Sequence, residues 1–167
     1  MPTPERLGRW IAAALCAGAV LWAVLVPLAP VLAAGAATDG VTAAVAIPYA
    51  AGALVCHQRA DRSFFTRGMQ WPVCARCAGL YLAAAAGMIA TLLLPAPWRH
   101  HLRHVAFWRT ALVAAALPTA ASWAAEQGGM WRPEDLARAW LAVPLGAAMG
   151  ALVALAARGV LTDVPKT

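Results

Sequence analysis

Three cysteines and one histidine are gathered in a short polar stretch, as Cys56-His57-Gln58 and Pro72-Val73-Cys74-Ala75-Arg76-Cys77. A C-x-x-C pair aims two sulfurs at one point. At the start of a helix it also meets unpaired backbone N–H groups, which favour thiolate over thiol. Pro72 suits such a start, and Arg76 adds positive charge between the two cysteines. Two chemistries use this pattern. Cys56, His57, Cys74 and Cys77 form a three-sulfur, one-nitrogen set that fits tetrahedral zinc. Because Cys56 and His57 are adjacent, one can ligate while the other supports. Alternatively, Cys74 and Cys77 cycle between dithiol and disulfide, with Cys56 resolving and His57 as base. A single structural disulfide, or cysteines that only pack, is the plainer alternative. The odd number of cysteines in the loop favours metal.

Other side chains can serve the same place. Gln58, Arg62, Ser63, Arg76 and Glu126 are candidates for holding an anion or supporting the ligands. Arg62-Ser63 offers guanidinium and hydroxyl donors to a phosphate or carboxylate, and equally suits a solvated basic loop beside anionic lipid. Glu126 stands at the end of an apolar segment, where an ionisable group is a functional suspect or an interfacial carboxylate. It has Arg132, Arg138 or an arginine of the cysteine loop as possible partners. His100, His101 and His104 form a second cluster, read mainly as solvated or headgroup-facing. Cys16 reads as a small apolar residue within the first apolar segment.

The elements that position these residues are helices in a membrane. Of the 167 residues, 62% are hydrophobic and 12% charged, against about 45–50% apolar and 25% charged in soluble domains. Long apolar segments run over 10–34, 77–94, 105–125 and 136–157, each near the roughly 20 residues of a membrane span. The first exceeds a signal-peptide core and reads as a retained span bent by Pro27 and Pro30. A shorter one, 41–55 with Pro48, reads as a re-entrant or interfacial helix or a thin fifth span. The expected fold is an all-α integral membrane helical bundle: one membrane domain over 1–167, four long spans plus the short helix, and the polar Cys/His loop at 56–77. Gly79, Ala83 and Gly87, and Gly146, Gly150 and Ala154, form two small-residue faces suited to close helix packing. Trp10, Trp71, Trp98, Trp108 and Trp131 fall near span ends, as in interfacial aromatic belts.

The chain carries 13 Lys and Arg against 7 Asp and Glu, a net charge of +6. The arginines lie between apolar segments, a pattern of topology control and headgroup contact, not of nucleic-acid binding. Positive-inside counting divides the basic residues eight against five with five spans, and seven against six with four. The counts lean towards a cytoplasmic cysteine loop and leave its side open.

Together, Cys56-His57-Gln58, Arg62-Ser63-Phe64, Gly68, Gln70, Pro72 through Cys77, Gly79 and Tyr81 resemble the DUF2085 predicted membrane proteins. Pro118, Arg138, Gly146 and Gly150 extend the likeness more weakly. Ala78 stands where a hydroxyl residue is usual and Ala83 where a glycine is common. Glu126-Gln127-Gly128 replaces an Asp-Gly pair, so the chain looks like a divergent member. The resemblance implies a membrane location and supplies no reaction. The expected function is a membrane-surface site binding a metal, zinc first. One alternative is a membrane thiol–disulfide oxidoreductase passing electrons to quinone through a redox-active disulfide. Another is a non-catalytic assembly subunit, so enzymatic activity stays open. The expected partners are the lipid bilayer and a helix-packing partner or second copy, with no nucleic acid. The expected place is a bacterial or archaeal cytoplasmic membrane.

Overall fold

The computed structural model describes residues 3–35, 39–95 and 102–161. Five helices carry it: α1 (Pro4–Gly35), α2 (Asp39–Val55), α3 (Ala75–Leu93), α4 (Val105–Gln127) and α5 (Asp135–Ala157). Four of them, all but α2, are long and apolar enough to cross a membrane. The expected bundle of four long helices and one short one is therefore what the chain forms. α1 continues unbroken through Pro27 and Pro30. The only strands among the described residues are β1 (Phe65–Thr66) and β2 (Met69–Gln70), paired antiparallel with Phe65 opposite Gln70. Arg67 and Gly68 turn this hairpin with φ of 53° and 78°, the left-handed pair that a tight two-residue hairpin loop requires.

α3 and α5 make the closest helix pair. A Cβ on Gly79 or Gly87 would strike the carbonyls of Ala139 or Ala147, and one on Gly146 or Gly150 would strike those of Leu80 or Ala84. The two small-residue faces pack on one another, backbone against backbone, which is how helices associate where lipid removes the hydrophobic drive. α4 is mostly exposed, apart from buried residues such as Trp108 and Ser122, and joins α5 through Thr119 Oγ1 donating to the Leu141 carbonyl.

The helices alternate in direction. Gly8, near the start of α1, lies against Ala157 at the end of α5. Further along α1, Val26 packs with Val73 and Ala78, and Trp22 meets Tyr81 edge-on at 5.9 Å between centroids. α3 runs back, α4 returns to bring Glu126 to the cysteine loop, and α5 descends from Arg138. α2 is not among the helices long and apolar enough to cross a membrane. Its second half docks on the loop, where Gly52 lets the Pro72 carbonyl approach and Tyr49 donates to the Gln70 carbonyl. The loop therefore lies at the end opposite residue 3, in the four-span arrangement.

Two belt tryptophans are tied into the fold. Trp71 donates to Thr66 Oγ1 at 2.8 Å, and the buried Trp108 donates to the Leu102 carbonyl at 2.8 Å. Trp10 and Trp131 are exposed, and Trp98 lies outside the described residues.

Candidate metal and anion centre

The loop is held by its own polar side chains. Gln58 adopts φ of 46°, and its amide donates to the carbonyls of Tyr49 (2.7 Å) and Pro72 (2.8 Å). Gln70 donates to the Gln58 carbonyl (2.6 Å) and to Ser63 Oγ (3.2 Å). Ser63 is buried and donates to the Arg59 carbonyl at 2.7 Å. Gln58 and Ser63 are thus engaged as braces of the loop. Phe64 and Trp71, 5.1 Å apart, close its apolar side.

These braces bring Cys56 to the start of α3. The Sγ atoms of Cys56, Cys74 and Cys77 all lie within 4.8 Å of one another, and all three are free thiols, half-buried. α3 begins at Ala75, two residues before the expected start, and Cys74 is its N-cap. Pro72 accordingly precedes the cap and does not sit in the first turn. Cys74 N–H donates to Cys56 Sγ at 3.2 Å, so the backbone at the cap locks the third sulfur in place. Cys74 makes no aligned capping hydrogen bond of its own. Its thiol is nevertheless pulled down to about 5, first by the Cys77 thiol directed at it, then by the N–H groups of Cys77 and Arg76 and by Cys56, with burial opposing. His57 is exposed and stands outside the sulfur group. It lines the adjoining cavity instead. Cys16 lies on α1, away from the group.

Beside the sulfurs sits a charged knot. Glu126 is 3% exposed and faces three guanidinium groups: Arg138 Nη2 at 2.8 Å, Arg76 Nη2 at 3.2 Å and Arg62 Nε at 3.3 Å. The Arg62 contact is an ion pair without hydrogen-bond alignment. Arg76 also donates to Ser122 Oγ at 3.3 Å, and Arg138 to Asp135 at 2.8 Å. Asp61 takes Arg59 at 3.0 Å and Arg62 at 3.7 Å. The loop, α3, α4 and α5 are thereby joined through one carboxylate. Arg138, which the sequence offered as one possible partner of Glu126, makes the shortest of the three contacts, while Arg132 is not among them. His104 is exposed ahead of α4, and His100 and His101 lie outside the described residues.

A cavity of about 170 Å³ opens between the sulfurs and the arginines. Its walls include Cys56, His57, Cys74 and Cys77 together with Arg59, Arg62, Arg76 and Arg138.

A family model described as a predicted membrane protein, DUF2085, matches residues 56–153, from the first loop cysteine to near the end of α5. Two archaeal proteins match over 41 residues each. One is the uncharacterised protein MJ1492 of Methanocaldococcus jannaschii, 51% identical over 25% of this chain and 26% of its own length. The other is an uncharacterised protein of Methanothermobacter thermautotrophicus, 42% identical over 25% of this chain and 37% of its own length. The match therefore spans about a quarter of one relative's length and somewhat over a third of the other's. No solved structure matches.

Proposed function

We propose, for a chain that belongs to the DUF2085 family of predicted membrane proteins, that Cys56, Cys74 and Cys77 bind one soft divalent metal ion, zinc first, at the membrane surface. The observation that carries this reading is the meeting of three sulfurs within 4.8 Å from two separate stretches of chain. Zinc–sulfur bonds of about 2.3 Å in a tetrahedron set the sulfurs about 3.8 Å apart, so side-chain adjustment of under ~1 Å closes the site. Thiolate donors select soft and borderline metals over magnesium or calcium. Three protein ligands leave a fourth position for water or a ligand, the pattern of a working centre and not of a closed structural one. Gln58 and Gln70 would hold the ligands through the loop backbone.

Metal analysis of reduced, detergent-purified protein tests the proposal. About one zinc per chain is expected, falling at least tenfold in Cys74→Ser and Cys56→Ser and retained in His57→Ala. Wild type without stoichiometric metal overturns it.

A second reading is favoured by the Cys74–Cys77 pair at the head of α3. The two thiols would give up two electrons and two protons, forming one disulfide, to a quinone acceptor reduced to the quinol. It predicts a Cys74–Cys77 disulfide that accumulates when quinone is oxidised and disappears when quinone is held reduced. The third sulfur drawn into the group favours metal over this reading. The bilayer would be the cytoplasmic membrane of an archaeon or bacterium.

A further inference from the structure

The cavity beside the cysteines is walled by Arg59, Arg62, Arg76 and Arg138, and no carboxylate is among its lining residues. Glu126 pairs with three of these guanidinium groups. Each guanidinium carries five N–H donors, and a carboxylate offers about four lone-pair sites. One Glu126 therefore cannot satisfy the set, even with Asp61 and Asp135 assisting. The Nε atoms of Arg76 and Arg138 are shielded from solvent without a hydrogen-bond partner, and Arg62 Nε meets Glu126 only as an unaligned ion pair. A buried donor left without a partner is costly, more so when it is charged. A cluster this dense in guanidinium is the arrangement that binds planar or tetrahedral oxyanions.

We propose that this cavity binds a small oxyanion, a phosphate or carboxylate group, between Arg59, Arg62, Arg76 and Arg138. About 170 Å³ is well below the roughly 300–1,000 Å³ of pockets for drug-sized molecules, so the bound group has few heavy atoms. Exposed Val55 and Trp123 form an apolar lip at the cavity. The oxyanion can thus arrive free from water or as the headgroup of an anionic lipid. The site does not require the metal, although an ion on the cysteines would share the cavity with it.

Calorimetric titration of delipidated full-length protein with inorganic phosphate tests the proposal, run once with chelator and once zinc-loaded. A parallel arm measures retention of phosphatidylglycerol over phosphatidylcholine in nanodiscs. Saturable phosphate binding, weakened at least tenfold in Arg62→Gln and in the exposed Arg59→Gln, assigns a free oxyanion. Arg62-dependent retention of phosphatidylglycerol without phosphate binding assigns the headgroup. Binding that persists under chelator separates this site from the metal proposal. Absence of both bindings overturns it, and so does binding equally strong in wild type and in both variants, with folding confirmed by circular dichroism.

Discussion

Cys74 sits where a backbone cap, two neighbouring sulfurs and a helix end act on one atom. In the reduced, metal-free protein its thiol titrates near 5, against about 8.5 for a free cysteine. Alkylation by iodoacetamide should therefore stay within about twofold from pH 6 to 8 and halve near pH 5, whereas an ordinary thiol slows about tenfold per unit through that range. The stability contribution follows the same sign. It is complete above the unfolded value and is lost as pH falls through the folded one. Mass-spectrometric rates at Cys74 across pH check this. Glu126 is the second residue whose removal has a defined cost. Glu126→Gln leaves Arg62, Arg76 and Arg138 facing a neutral amide, a loss of roughly 3–5 kcal/mol for a buried pair broken on one side. Thermal unfolding in detergent should fall by on the order of 10 °C. The convergence of Cys56 on Cys74 and Cys77 was legible from residue type and spacing. The triple pairing of Glu126 was not, because Arg76 and Glu126 are 50 residues apart and no local period joins them. The direction of His57 was equally hidden, since adjacency to Cys56 fixes its place in the chain but not the side to which its ring points.

Among the elements, the α3–α5 pair is the most exacting. Gly150 meets the Ala84 carbonyl with no room for a Cβ, so Gly150→Leu or Gly146→Leu must part the two helices. Overpacking of this kind costs typically 1–3 kcal/mol and more against backbone. Folded yield in detergent should drop severalfold for either variant, while Gly18→Leu, with open space beside it, should leave yield unchanged. Size-exclusion profiles of the three variants read this directly. The sequence displayed these faces because a four-residue spacing of glycine and alanine is itself the packing signal. The path of α2 was less legible. Its 17 residues leave crossing and docking equally open by length, and the decision rests on Gly52 and Tyr49 meeting distant parts of the loop.

For the molecule as a whole, the alternation of α1, α3, α4 and α5 puts residue 3 and the cysteine loop at opposite ends. A membrane-impermeant thiol reagent applied to intact cells should reach either Cys74 or an introduced Thr3→Cys, never both; labelling of both from one side would refute the four-span arrangement. The arginine counts could not decide this, because seven against six is no asymmetry. Geometry decides where charge is silent.

One property of the knot bears on how the protein is made. Chains enter a membrane from their first residue onward, so Arg76 is in place 50 residues before Glu126, Arg62 earlier still with only Asp61 beside it, and Arg138 arrives after both. A nascent chain paused after α3 carries its cysteines beside uncompensated positive charge, and the chamber next to them has no roof. The centre is therefore completed only when the last helix seats itself, and a truncated or wrongly inserted product leaves it unfinished.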